Sequence, residues 1–233
     1  MYANTAAYYD RLYAFKDYAA EAARIVSIVG ESCRSGGARL LDVACGTGLH
    51  LEHLAGTYNA EGLDISEELL AYARVRNPNS TFYVGDMRTF DLAAPFDIVT
   101  CLFSSIGYMT TSEDLHCAIE RMAAHLAPGG LLIVEPWLTP DDWKPNTVHG
   151  MFIDEPDLKI ARINTSQLEG TLSIFDLHHL IGTPEGTEHI VEHHEMGLYT
   201  VAEMTAAFAA AGLETWHDPE GLTGRGLHIG RRR

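Results

Sequence analysis

The chain is 233 residues long, 46% hydrophobic and 21% charged, with 32 acidic against 16 basic side chains and a formal net charge of −16. That length buries one substantial core and fits one domain with an insertion. The acidic balance counts against a broad nucleic-acid surface, which draws on clustered Lys and Arg, and no run approaches the roughly 20 apolar residues of a membrane span.

The start Met1-Tyr2-Ala3-Asn4-Thr5 lacks signal-peptide anatomy. The cysteines Cys33, Cys45, Cys101 and Cys117 have no metal-ligand spacing and read as reduced thiols, so a cytoplasmic protein is expected. Residues 17–30 form an amphipathic helix. A short apolar run then ends in Asp42 and a glycine-paired turn, Gly46-Thr47-Gly48, before His50, Leu51, His53 and Leu54 continue at helical spacing. A buried strand, a tight turn and a helix start bring backbone N–H groups close to a small ligand. A dinucleotide fingerprint needs a third glycine for close helix–strand packing, and that position is Leu51.

A second strand closes on Asp64, followed by Ile65 and a helix capped by Ser66 with Glu67 and Glu68 in its first turn. Asp64 falls where a doubly wound fold places a carboxylate on ribose hydroxyls. A third strand ends in Gly85-Asp86-Met87, a fourth spans 96–103, and Pro128-Gly129-Gly130 introduces a fifth that ends at Glu135. Apolar strands alternating with amphipathic helices specify an α/β fold, a parallel sheet buried on both faces. From about 147 to 200 the pattern turns to extended segments: 151–153, 159–164, 171–178 and 189–194. Glu169-Gly170 and Thr183-Pro184-Glu185-Gly186 punctuate them, which predicts an inserted antiparallel meander. A last helix over 200–211, capped by Thr200 and followed by Gly212, precedes closing strands near 213–217 and 225–230. Residues 1–137 and 200–233 are thus expected to form one cofactor-binding domain, and 138–199 a region covering the substrate.

The Asp-x-x-x-Gly-x-Gly pattern from Asp42 to Gly48 resembles the first motif of the Rossmann-like (class I) S-adenosylmethionine-dependent methyltransferases. Further strings narrow the resemblance: Lys16-Asp17-Tyr18, Gly85-Asp86-Met87-Arg88, Phe103-Ser104-Ser105-Ile106-Gly107-Tyr108, Val134-Glu135-Pro136-Trp137 and Gly224-Arg225-Gly226-Leu227. Together these look like the sugar N,N-dimethyltransferases that finish dTDP-linked amino sugars such as desosamine and mycaminose in macrolide biosynthesis. The resemblance implies S-adenosyl-L-methionine as cofactor and two successive methyl transfers to the 3- or 4-amino group of a nucleotide-linked deoxysugar. By position it implies that Asp42 holds the turn and that the cofactor touches Tyr9, Ala44, Cys45, Gly46, Gly48, Asp64, Ile65, Asp86, Met87 and Leu102. Lys16, Tyr18, Ser105, Tyr108 and Trp137 fall to the substrate side, with Arg225 on the pyrophosphate, which a planar guanidinium binds bidentately. A homodimer is also implied.

Tyr108 is the candidate catalytic residue. A phenol of pKa near 10 is a poor base at neutral pH, so it is expected to orient the amine; Glu135 is expected to anchor a loop. The histidines at 178, 179, 189, 193 and 194 could suggest a metal, but adjacent pairs in a strand point to opposite faces, and no metal site is expected. The alternatives are a methyltransferase acting on another small O- or N-acceptor and, in another class, a nicotinamide-dependent oxidoreductase or a non-catalytic protein that kept the fold.

Overall fold

The computed structural model describes residues 5–93 and 95–233; the Met1–Asn4 stretch on which the signal-peptide argument draws lies outside them. Helix α1 (Tyr9–Leu12) leads into α2 (Tyr18–Ser32), whose first turn is closed by Asp17 accepting the Ala20 amide at 2.9 Å. Then follow β1 (Arg39–Val43), α3 (Leu49–Leu54), β2 (Asn59–Asp64), α4 (Glu67–Arg76), β3 (Thr81–Val84), β4 (Phe96–Cys101), α5 (Ser112–Ala124) and β5 (Leu126–Val134). Ser66 caps α4 as expected, taking the Leu69 amide.

Strands β1 to β5 are parallel; β11 (Leu227–Arg232) joins β5 antiparallel, and β10 (Leu213–Asp218) pairs with β11. The sheet order is β10-β11-β5-β4-β1-β2-β3. The chain winds outward from β1 through β3 and then returns to β4 on the other side of β1. Loops leaving β1 and β4 therefore diverge, and the crevice between them is where open α/β sheets bind ligands. Leu40 and Leu41 point to opposite faces, one into the layer of α2, α3 and α4 with Ile25, Leu51 and Leu70, the other into the layer of α5 and α6 (Val201–Ala210) with Met122 and Phe208. Every residue of β4 is buried, the mark of a central parallel strand. Thr200 caps α6 in a full capping box with Glu203.

The inserted strands β6 (Val148–Glu155), β7 (Leu158–Glu169), β8 (Leu172–Thr183) and β9 (Gly186–Gly197) form a separate antiparallel sheet in meander order. All four run past the expected limits; in β7 and β9 the added residues, such as Thr165, Gln167, Thr187 and Glu188, are mostly polar and give little apolar alternation to read. The inner face buries Ile160, Phe175, Leu177, Ile181 and Met196 against Tyr13, Phe103, Tyr108, Trp137 and Trp143. The histidine pairs split between faces: His178 and His193 are exposed, His179 and His194 buried.

Candidate active site

The turn after β1 is left-handed at Ala44 (φ 59), Gly46 (φ 56) and Gly48 (φ 75). The Asp64 carboxylate holds it from the end of β2: one oxygen accepts the Gly46 amide at 2.8 Å and the other the Ser66 amide at 2.9 Å. Burial raises the Asp64 carboxyl above the ordinary carboxylate range, against those two amides. Asp42, expected to hold the turn, instead accepts the Thr100 hydroxyl at 2.7 Å and ties β1 to β4. It is 1% exposed, and burial pushes its carboxyl up to about 6.

Three cavities meet around this turn. The first, about 260 Å³, lies over the ends of β2 and β3 and is lined by Ala44, Gly46, Asp64, Ile65, Asp86 and Met87 among others. The second is a small recess of about 30 Å³ behind the turn, where Tyr18, Asp42, Cys45, His50 and Leu102 converge. The third, about 570 Å³, opens between the two sheets and carries Lys16, Arg162 and Arg225 together with Trp137, Trp143 and Phe175. Tyr9 and Ser105 line all three, and Tyr108 lines the two larger.

Comparison with known proteins agrees with this architecture. Residues 40–130 match a family described as a methyltransferase domain. Over 217 residues the chain is 42% identical to the dTDP-3-amino-3,6-dideoxy-alpha-D-glucopyranose N,N-dimethyltransferase of Streptomyces fradiae, covering 92% of this chain and 85% of that protein. The chain belongs to the S-adenosylmethionine-dependent dTDP-amino-sugar N,N-dimethyltransferase family. Among solved structures, Streptomyces venezuelae DesVI superposes with a TM-score of 0.92 at 39% identity, covering 98% of both chains. The amino pentose methyltransferase CalS10 of Micromonospora echinaspora, solved with S-adenosylmethionine bound, gives 0.86 at 38% identity over 99% of this chain and 96% of that one. The family resemblance, the class I fold and the cofactor expected from the motifs are thus borne out.

In this methyltransferase the predicted positions divide as follows. Tyr9, Ala44, Gly46, Asp64, Ile65, Asp86 and Met87 line the first cavity, and Asp42, Cys45 and Leu102 the recess. Gly48 lines none of the three: a Cβ there would lie 2.7 Å from the Asn77 amide nitrogen, so this glycine lets α3 pack against α4. Asp86 holds Arg88, with contacts down to 2.6 Å that keep its carboxyl below the usual range. Of the residues expected on the substrate side, Lys16, Ser105, Tyr108, Trp137 and Arg225 line the large cavity, but Tyr18 does not. Helix α2 turns Tyr18 into the recess behind the glycine turn, edge-on to His50, away from the cavity that the other residues expected on the substrate side share.

The three cations of the large cavity differ in their ties. Lys16 is buried, with its ammonium 2.7 Å from Glu21 and 4.1 Å from the centre of the Phe103 ring. Arg225 donates to the Ser104 hydroxyl at 2.8 Å and lies over the Trp137 ring. Arg162 donates to the Tyr13 hydroxyl at 3.2 Å. The motifs missed Arg162 and Asn164. A signal existed, because both share a strand face with Ile160 and Ser166, and a cation on the buried face of a strand calls for a partner or a ligand. Glu135 is a loop anchor: fully buried, it accepts the Phe103 amide and the Thr223 hydroxyl, each at 2.7 Å.

Proposed function

We propose that this methyltransferase transfers one methyl group and then a second from S-adenosylmethionine to the amino group of a dTDP-linked amino deoxysugar in antibiotic biosynthesis. The observation that carries this is the large cavity with its three cations and aromatic walls, opening onto the donor cavity at Tyr9, Ser105 and Tyr108. A sugar nucleotide needs such a space, with positive charge for its pyrophosphate at one end and a junction with the donor at the other. The names of the S. fradiae and S. venezuelae relatives, both dTDP-3-amino-sugar N,N-dimethyltransferases, support the same acceptor class. Strands β6 to β9 with the segment before them would serve as the substrate cover.

The first cavity fits the cofactor by its donor set. A Cβ at Gly46 would meet nothing within 4 Å, so the turn leaves open space that a side chain would fill. Asp64 and Asp86 offer carboxylates for ribose hydroxyls and an adenine amino group, and Leu69 and Met87 give apolar surface for the ring. Asp42 and Tyr18 bring polar groups to the recess, where the amino-acid end would lie. When bound, the cofactor supplies an activated methyl group on a sulfonium. The protein's work is then alignment, and well-oriented groups reach effective molarities of roughly 10⁵–10⁸ M. Tyr108 would orient the amine at the junction and Trp137 would wall the sugar, while Ser104 and Glu135 hold Arg225 and its loop in place.

The test is a mass assay on dTDP-3-amino and dTDP-4-amino deoxysugars. A gain of two methyl groups is expected; S-adenosylhomocysteine binding without transfer to either sugar would overturn the acceptor. Tyr108→Phe is expected to retain turnover within about a thousandfold of wild type, since positioned acid–base groups typically contribute 10²–10⁴; a larger loss would make Tyr108 an essential base. Arg225→Ala is expected to raise the acceptor KM by roughly tenfold to a hundredfold with little change in kcat, as loss of one charge-assisted contact costs about 1.5–3 kcal/mol. Arg225→Lys should recover only part of that, because it restores charge without the bidentate fork.

Nucleic acid and membrane have no place in this proposal, in keeping with the charge of −16; among the described residues no helix is long and apolar enough to cross a membrane. A homodimer does belong to it. Phe152 and Leu180 in one cross-strand row and Ile163 and Val191 in the next, on the outward face of the four-stranded sheet, are exposed apolar side chains that a second copy would cover.

A further inference from the structure

Tyr108 ends the short helical turn Ser105–Tyr108 that follows β4, at the junction of the donor and acceptor cavities. Its hydroxyl lies 2.9 Å from Nδ1 of His194, a residue 86 positions away on the inner face of β9. The imidazole is held rigidly. His194 is 1% exposed and stacks on Phe175, its register partner on β8, with ring centres 5.2 Å apart and planes 14° from parallel. The turn is pressed against the same sheet: a Cβ at Gly107 would come within 2.7 Å of the Met196 methyl and 2.9 Å of Trp137. Helical turn and meander thus pack with no room for a side chain at Gly107, and the contact between phenol and imidazole is part of that joint.

The direction of the hydrogen bond follows from acidity. A phenol is the stronger donor of the two, and an imidazole nitrogen is far more basic than a phenol oxygen. Tyr108 therefore donates and Nδ1 accepts. We propose that His194 is a positioning residue for the methyl transfer: by taking the Tyr108 hydroxyl proton in a hydrogen bond, it turns the phenol oxygen's lone pairs toward the cavity junction, where they accept an N–H of the acceptor amine and aim the nitrogen lone pair at the donor.

This rests on the acceptor amine being bound at that junction. A phenol free to rotate would instead point its own hydrogen at the amine and engage the lone pair that must attack. Fixing the rotor removes that unproductive arrangement, a gain in orientation that needs no base. The surroundings keep the imidazole in the required neutral form. Burial pushes His194 down to about 4; Glu192 pulls the other way, and the nearby His193 and His179 oppose a charge on it. Glu192 is itself drawn toward Thr5 at 2.8 Å and toward His179 at 3.3 Å. His194 consequently serves as a fixed acceptor and not as a store for the amine's proton.

Two variants test this, together with a measurement that needs no substrate. His194→Phe keeps the ring stacked on Phe175 and removes the acceptor; kcat is expected to fall about tenfold to a hundredfold, at or below the 10²–10⁴ of a positioned acid–base group because His194 acts through Tyr108, with less than a threefold change in acceptor KM and in the Kd for S-adenosylhomocysteine. His194→Asn restores an acceptor oxygen close to the Nδ1 position and is expected to recover most of the loss. Adding Tyr108→Phe to His194→Phe should cost little more, since residues acting as one unit are not additive. Independent multiplicative losses, no rescue by Asn, or full turnover in His194→Phe would each overturn the proposal. Nitrogen-15 spectra of the wild-type protein should show His194 Nδ1 as a non-protonated acceptor whose resonance moves in Tyr108→Phe; a protonated Nδ1 would overturn it too. If the wild-type enzyme methylates no amino sugar, the acceptor assignment fails instead, and the spectra still report on the hydrogen bond.

Discussion

Asp64→Ala is expected to weaken S-adenosylhomocysteine binding about a hundredfold or more while the protein stays folded. The carboxylate accepts the Gly46 and Ser66 amides through separate oxygens, so one side chain fixes the glycine turn and starts α4. Hydrogen bonds to a charged group are each worth about 1.5–3 kcal/mol, and roughly 1.4 kcal/mol is tenfold in affinity. The two amide bonds hold the turn, and the loss of affinity comes from the ribose hydroxyls that the same carboxylate would take: water replaces part of what alanine removes, so two such bonds at about 1.5 kcal/mol give the hundredfold. The amide bonds do not bar a role toward ribose, because two carboxylate oxygens carry about four lone-pair sites. Asp64→Asn should lose about tenfold, keeping one acceptor and turning an N–H₂ toward an amide donor. Titration calorimetry with S-adenosylhomocysteine reads both variants. An Asp64→Ala protein that binds within threefold of wild type would separate the turn from the cofactor.

The donor half was legible in the sequence because its signals are local. Strand, glycine turn and helix follow one another within residues 39–54, and Asp42, Asp64 and Asp86 lie at or just beside strand ends. What sequence could not resolve was which acid reaches across. Asp42 and Asp64 both end strands, and only the register of β1 between β2 and β4 shows that Asp42 faces Thr100 while Asp64 faces the turn. Motif spacing likewise did not separate Tyr18 from Lys16: Lys16 lines the large cavity, but the start of α2 turns Tyr18 into the recess behind the glycine turn. The acceptor half depends on contacts between distant segments: Tyr108 with His194, Arg162 with Tyr13, and Glu135 with Thr223 are 86, 149 and 88 residues apart. Motif spacing carries no information on such pairs. They become readable only once the meander folds back over the ends of the parallel strands.

The role of Glu135 provides the sharpest separation between a structural anchor and a chemical base, since the two call for opposite outcomes in one variant. Its carboxylate is fully buried at the end of β5, one oxygen on the Phe103 amide and the other on the Thr223 hydroxyl. Phe103 and Ser104 have left-handed backbones, φ 50 and φ 64, which non-glycine side chains adopt only under constraint. Ser104 in turn donates to the Pro136 carbonyl and accepts from Arg225, so the loop after β4 and the loop that carries Arg225 both depend on this carboxylate. Glu135→Ala leaves the Phe103 amide and the Thr223 hydroxyl without their shared acceptor; two hydrogen bonds to a carboxylate, at about 1.5–3 kcal/mol each, put the loss on the order of 3–5 kcal/mol. At about 2–4 °C per kcal/mol for a domain of this size, the thermal midpoint should fall by on the order of 10 °C. The acceptor kcat/KM should drop about a hundredfold or more, and S-adenosylhomocysteine affinity should change little. Glu135→Gln is the decisive case. Its carbonyl can keep the Phe103 amide, and its N–H₂ can donate to Thr223, whose hydroxyl rotates from donor to acceptor. An anchor therefore survives the change with less than about tenfold loss, whereas a general base that loses its carboxylate would forfeit the 10²–10⁴ such a group contributes. Turnover in Glu135→Gln as low as in Glu135→Ala, at an unchanged thermal midpoint, would move Glu135 from scaffold to chemistry.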